Sequence, residues 1–272
     1  MPDTQHPLHN IPLTKKSLGQ HWLHDQGVLL AMVQAGQVTE QDTVVEIGPG
    51  LGTLTSLLVE RAQKVVALEF DADLARDLPQ RVHAANLEVH FADCLAFNYA
   101  DLPKDYVVVA NIPYYLTSNL LRVLSESPNP PRVIALLVQK EVAERVAAGP
   151  GKMSLLSVSV QRFYQASLGQ IVPAALFTPP PKVDSQIIIM VRRPQPLFPD
   201  IDQKAFFRVV KAGFSQRRKK LRSSISAGLR CPKPVASTVL QQAHISPDAR
   251  PQELSLEQWH ALYIAAVAAE LL

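Results

Sequence analysis

A short apolar run that ends in three closely spaced glycines constrains the fold most. Residues 43–47, Thr-Val-Val-Glu-Ile, are rich in β-branched side chains and read as a buried strand. Glu46-Ile47-Gly48-Pro49-Gly50-Leu51-Gly52 carries the chain out of that strand, and a helical apolar pattern over 53–62 follows. Glycines at 48, 50 and 52 let the backbone turn sharply and let a ligand approach the main chain. Strand, glycine turn and helix in that order place a ligand crevice at the carboxyl edge of a sheet.

The same rhythm continues downstream. Strands are expected at 65–69, 87–91, 106–110 and 133–138, with a helix over 73–83. This alternation predicts an α/β fold with a doubly wound, mostly parallel sheet and helices on both faces. Residues 155–163 and 185–191 then read as two strands that close the sheet as an antiparallel hairpin, with Phe177-Thr178-Pro179-Pro180-Pro181 between them. The three prolines of 193–199 mark a linker. Beyond it the pattern is helical, and four short helices are expected, broken at Gly213, 228–234 and 246–251. The expected organisation is a polar tail over 1–14, an α/β body over 15–192 and a small all-α domain over 193–272.

Composition limits the class. Hydrophobic residues make up 47% and charged residues 19%, which excludes global disorder. Cys94 and Cys231 give neither a disulfide framework nor metal-ligand spacing, so no metal is expected and a reducing, cytoplasmic setting is the simplest reading. Residues 1–10 do not resemble a signal peptide, and the apolar stretch 261–272 is shorter than the roughly 20 residues that cross a bilayer. A soluble monomer is expected. The net charge of +3 is unevenly spread: from Arg192 onward 13 Lys and Arg face 6 Asp and Glu, a net +7, leaving −4 upstream. A slightly acidic body with a basic appendage fits a catalytic unit joined to a polyanion-binding module, although a solvated basic surface has the same count.

The glycine turn departs from the dinucleotide fingerprint, which would place its third glycine at position 53, here Thr53. It matches instead the Gly-x-Gly-x-Gly turn of enzymes that use S-adenosylmethionine, and Glu46 suits a site near a cationic sulfonium. Glu69, 21 residues after Gly48, can accept both hydroxyls of a ribose. Asp93 can accept a hydrogen bond from an adenine amine. Each acid alone fits a solvated strand end; three at successive strand ends form one ligand crevice.

Asn111-Ile112-Pro113-Tyr114 follows the run at 106–110. An exocyclic adenine amine is a poor nucleophile because its lone pair is delocalised into the ring. The Asn111 side-chain oxygen and the Ile112 carbonyl can accept its hydrogens, favour a tetrahedral nitrogen and aim the lone pair at a methyl donor. Pro113 fixes the backbone and Tyr114 offers a ring to stack on the base. A proline turn after a buried strand is the plainer alternative. Phe177, on a stiff proline-rich loop, can form a second wall against a flipped base, or it can be core.

Together these segments resemble the KsgA-type (RsmA) ribosomal RNA adenine dimethyltransferases, relatives of the Erm methyltransferases. The likeness spans most of the chain. It includes residues 18–23 (Leu-Gly-Gln-His-Trp-Leu), the glycine turn, Asn-Ile-Pro-Tyr, 139–145, Phe-Thr-Pro-Pro-Pro-Lys-Val-Asp-Ser, 214–221 and 253–259. The resemblance implies a Rossmann-like class I methyltransferase sheet with a helical C-terminal domain. It also implies dimethylation of two adjacent adenosines in a hairpin loop near the 3′ end of small-subunit ribosomal RNA, within a precursor particle. An Erm-like enzyme of the large subunit, or an assembly factor acting by binding, are the alternatives. By matching position, His21, Leu23, Gly48, Glu69, Asp93 and Asn111 would touch the cofactor, while Asn111, Tyr114 and Phe177 would hold the base.

Two departures stand out. Gln-His-Trp-Leu replaces the family's usual Gln-Asn-Phe-Leu, so an imidazole stands for an amide and its protonation becomes a variable; weaker cofactor binding in acid is expected. Met153-Ser154 replaces the usual Tyr-Gly, next to a short loop at 149–151. Finally, Arg217, Arg218, Lys219, Lys220 and Arg222 form a cationic block expected to bind RNA phosphates, with Lys15 and Lys16 possible additions.

Overall fold

The computed structural model describes residues 20–216 and 218–272. The α/β part runs β1 (Trp22–Leu23), α1 (Gln26–Ala35), β2 (Thr43–Ile47), α2 (Thr53–Val59), β3 (Lys64–Glu69), α3 (Ala72–Val82), β4 (Leu87–Phe91), β5 (Val107–Asn111), α4 (Thr117–Glu126), β6 (Val133–Gln139), α5 (Lys140–Val146), α6 (Leu155–Gln161), β7 (Tyr164–Val172), β8 (Phe177–Thr178) and β9 (Ser185–Arg192). The helical part holds α7 (Gln203–Phe214), α8 (Leu221–Leu229), α9 (Lys233–Gln242) and α10 (Leu256–Ala268).

Seven strands form one sheet in the order β4-β3-β2-β5-β6-β9-β7. The first five run parallel, and β9 pairs antiparallel with both β6 and β7. The two-residue period of the strands sends alternate side chains to opposite faces. Val44, Val107 and Val109 enter one apolar cluster with α1 and α2, while Val45, Val108 and Ala110 enter another with α4. Burial on both faces explains why β5 and β6 read as nearly unbroken apolar runs. Chain order reverses between β2 and β5: from β2 the chain winds outward through β3 and β4, then returns to lay β5 on the other side. A crevice forms at such a reversal, beyond the carboxyl ends of the strands.

The sheet closes differently from the sequence expectation. Residues 155–163 are not a strand; most of them form α6, and β7 begins at Tyr164. Ser154 and Ser157 make a reciprocal capping box, and the Ser157 hydroxyl also donates to the Arg145 carbonyl. The helix joins two cores, with Val158 facing the helical cluster and Val160 the sheet cluster. The apolar run was long enough for either element, and tertiary packing decided. Met153 and Ser154, where the sequence departs from the family pattern it resembles, serve this junction: Met153 is buried in the helical cluster and Ser154 caps α6.

The helical part breaks close to where expected: α7 ends at Phe214, one residue after Gly213, and α8 ends at Leu229 and α9 begins at Lys233, within the expected break at 228–234; both glycines lie in the last turn of a helix. A Cβ at Gly213 would come within 2.4 Å of the Trp259 ring, and one at Gly228 within 2.4 Å of the Ala212 Cβ. The absent side chains let α7 pack closely against α8 and α10. Arg162 ties the linker down: it is buried, donates to the carbonyls of Leu197 and Phe198, and lies 4.9 Å from the Phe163 ring centroid.

Candidate active site

The segment after β2 turns on left-handed glycines. Gly50 has φ +56, and a Cβ there would fall 2.5 Å from the Trp22 ring, so the indole rests directly on the glycine backbone. Gly52, with φ +84, starts α2 and would collide with Leu78 and Val82 at 2.9 Å if it carried a Cβ. It shapes the turn from behind and does not line the cavity. The Gly48 amide donates to the Leu68 carbonyl at 2.9 Å, which holds the turn beside β3.

A cavity of about 310 Å³ opens over this turn. β2 and β5 are neighbours, with Val44 opposite Val107 and Val45 opposite Val108, so the glycine turn and Asn111 emerge side by side. The cavity takes its walls from His21, Leu23, Glu46, Gly48, Gly50 and Glu69, and equally from Asp93, Asn111, Ile112, Pro113, Tyr114 and Phe177. Residues 156 positions apart in the chain thus meet at one place.

The acids differ in environment. Glu46 is 1% exposed, and its Oε2 has no hydrogen-bond partner among the described residues. Burial pushes its carboxyl up to about 8, with the Thr55 hydroxyl acting the other way and the Glu69 carboxylate adding to the rise. Glu69 accepts the Gly50 amide on Oε2 at 3.1 Å and the Asp71 amide on Oε1 at 2.9 Å. Burial raises its pKa, against the stabilising amides of Asp71, Gly50 and Phe70. The carboxylate has about four lone-pair sites, so the backbone orients Glu69 and still leaves acceptor capacity for a ligand hydroxyl. Asp93 lies two residues beyond β4, is exposed, and fixes its own turn by accepting the Leu95 amide on Oδ1 at 2.8 Å.

At the end of β5 the Asn111 Nδ2 donates to the His21 carbonyl at 3.4 Å. A carbonyl only accepts, so this contact fixes which end of the amide is nitrogen and leaves Oδ1 as an acceptor. The Ile112 side chain is buried in the sheet core, and Pro113 adopts φ −56 and ψ 133 before a short turn leads into α4. The Tyr114 hydroxyl pairs with Ser185 Oγ at 2.8 Å, and burial raises its pKa. Phe177 is 3% exposed and packs with Leu23, Leu29 and Leu54, so it bounds the cavity as part of the core and is not a free stacking face.

The first strand was not anticipated. β1 pairs antiparallel with β8, Trp22 opposite Thr178 and Leu23 opposite Phe177. The His21 Nδ1 bonds the Pro179 carbonyl at 2.7 Å. Trp22, Phe70 and Tyr115 also line the cavity, the last two 59% and 62% exposed. The sequence signalled them only by adjacency: each directly neighbours a residue singled out on other grounds.

The cationic block lies apart from the cavity, at the turn from α7 to α8. Arg218, Lys219, Lys220 and Arg222 are exposed; Arg217, Lys15 and Lys16 fall outside the described residues. Lys220 pairs with Asp248 at 2.9 Å, and Arg222 approaches the same carboxylate at 3.7 Å. Lys220 holds the N-cap position of α8, where the helix dipole disfavours cations. Helix stability therefore does not explain the block. Among the described residues no group of His, Cys, Asp and Glu could hold a metal ion, and no helix is long and apolar enough to cross a membrane.

Comparison with known proteins agrees with this geometry. Residues 12–267 match the family model described as ribosomal RNA adenine dimethylase. A protein of Dehalococcoides mccartyi named ribosomal RNA small subunit methyltransferase A is 38% identical, covering 91% of this chain and 87% of its own. One of the same name from Streptococcus pneumoniae is 40% identical over 91% and 90%. Among solved structures, a dimethyladenosine transferase from Plasmodium falciparum superposes with a TM-score of 0.79 at 26% identity, covering 92% of this chain and 98% of that one. The 23S rRNA methyltransferase ErmE gives 0.71 at 27%, covering 90% and 98%.

Proposed function

The chain belongs to the ribosomal RNA adenine dimethylase family, and on that premise we propose that it dimethylates the exocyclic amines of two adjacent adenosines in the 3′-terminal hairpin loop of small-subunit ribosomal RNA, using S-adenosylmethionine. The substrate is the RNA within a small-subunit precursor particle in the cytoplasm, and the enzyme works as a monomer. The observation that carries this reading is the meeting of Asn111 with the glycine turn across the β2–β5 junction. The small-subunit names of relatives at 38–40% identity favour that subunit over the large one.

The residues present fit the cofactor. Glu69 is oriented by backbone amides and keeps acceptor capacity for a ribose, and Asp93 stands near for an adenine amine. Glu46 is a buried acid that lines the cavity with an unpartnered oxygen, and a cationic sulfonium bound beside it would draw it toward its ionised form. When bound, S-adenosylmethionine supplies an electrophilic methyl group on a positively charged sulfur.

The chain's own work is orientation. Asn111 Oδ1 and the Ile112 carbonyl accept the hydrogens of the adenine amine, which localises the nitrogen lone pair and directs it into the cavity. Tyr114, anchored through Ser185, presents a ring to the base. Alkylation makes the amine acidic, so its proton leaves without a strong base. The exposed Arg218 and Lys219 hold RNA phosphates without reading sequence.

Mass spectrometry of small-subunit RNA from cells with and without the gene tests the assignment. Two adjacent dimethyladenosines should vanish on deletion. Unchanged marks, or methylation by the purified protein of large subunits only, would refute it. Rescue of a deletion strain by Asn111→Ala would instead point to a role exerted through binding.

A further inference from the structure

Matching by position makes His21 a cofactor contact, and it lines the cavity, but its Nδ1 is committed to the proline-rich loop. We propose that His21 is a positioning residue that clasps the proline-rich loop to the acceptor loop, setting the geometry of the target base more than the affinity for the cofactor. This rests on the acceptor-site reading above and deepens it.

Three contacts converge on this one residue. Its Nδ1 lies 2.7 Å from the Pro179 carbonyl, a contact spanning 158 positions. Since the carbonyl can only accept, Nδ1 carries the hydrogen. Its own carbonyl receives the Asn111 Nδ2. Its ring lies parallel to that of Tyr114, with centroids 6.1 Å apart and planes 23° apart. Tyr114 is therefore steadied on its face by His21 and at its hydroxyl by Ser185. The residue is itself held in place. Trp22 and Leu23 pair with Thr178 and Phe177, Trp22 sits on Gly50, and the Thr53 hydroxyl donates to the Leu23 carbonyl at 3.1 Å. His21 thus links β1, the Asn111–Tyr114 loop and the loop after Phe177, which together border the cavity.

The side-chain chemistry separates donor from ring. An asparagine carries its Nδ2 at the position of the imidazole Nδ1, so it can serve the same carbonyl without a ring. Aspartate has the same shape but no donor when ionised. Phenylalanine keeps a ring and loses the donor.

The experiment compares His21→Asn, His21→Asp and His21→Phe in the full chain. Single-turnover methylation of small-subunit particles and cofactor affinity by calorimetry are read separately. The Phe and Asp variants should lose about tenfold to a hundredfold in methylation rate, as expected for a misplaced acceptor, while their cofactor Kd stays within about twofold. The Asn variant should recover most of that rate. Asn and Asp are near-isosteric, so their contrast remains informative if the Phe variant folds poorly. Losses that track a weakened cofactor Kd would overturn the clasp, as would equal rates for Asn and Asp. Absence of methylation by the wild-type protein would count against the functional assignment; the ratios among variants address the clasp on whichever RNA the wild type methylates.

Discussion

Replacing Glu46 by Gln should flatten the pH dependence of stability of the cofactor-free protein. The carboxyl is 1% exposed, and burial moves it from the usual 4.5 to about 8. The folded state therefore keeps a proton that the unfolded chain releases above pH 4.5. The sign follows: the contribution is intact below 4.5, is lost progressively as pH rises, and levels off above about 8. A shift of this size corresponds to about 5 kcal/mol in all, of which about 4 kcal/mol is lost by pH 8 and under about 1 kcal/mol by pH 5. The Gln amide stays neutral throughout, and its buried donors add an offset that does not change with pH. The informative quantity is therefore the slope. In urea melts of both proteins, the difference should swing by about 3 kcal/mol toward the variant between pH 5 and pH 8. Parallel curves over that range would show that Glu46 is ionised in the folded protein, and the environment described for it would be wrong.

Asn111→Ala should lower the methylation rate by about a hundredfold to a thousandfold, as loss of one preorganised acceptor does; a rate within threefold of wild type would remove Asn111 from the chemistry. Gly50→Ala places a methyl 2.5 Å from the Trp22 ring at φ +56, so cofactor binding measured by calorimetry should be lost while the helical domain keeps its far-UV dichroism. Arg218→Glu with Lys219→Glu should weaken RNA binding and lower the salt dependence of log K by about 2. Cofactor affinity of that double variant should not change, and an equal loss of both would indicate misfolding.

Local chemistry made part of this molecule legible. The glycine turn, Glu69 and Asn-Ile-Pro-Tyr announced themselves because each must sit at a strand end, and strands buried on both faces are plain in β-branched runs. Bounds were close where patterns were strong: β4 was read over 87–91 and found there, and β2 over 43–47 likewise. The segment at 155–163 was misread because a short apolar run has no preferred period of its own; a serine capping box and two facing cores made it a helix. The helix ends near Gly213 and within 228–234 were legible, but the close approach of Trp259 and Ala212 that these glycines permit was not, because a glycine's local effect is visible and its long-range one is not.

What the sequence determined by itself is the inventory: a glycine turn after a buried strand, an amide-bearing loop at a strand end and a basic C-terminal part. What only tertiary structure decided is who meets whom. Sheet order brought residues 48 and 111 together, the β1–β8 pair carried His21 to Pro179, and burial raised the Glu46 carboxyl pKa far from its usual value. Contacts across 60 to 160 positions, and the dielectric around a carboxylate, depend on the whole packed chain and leave no local pattern in its residues.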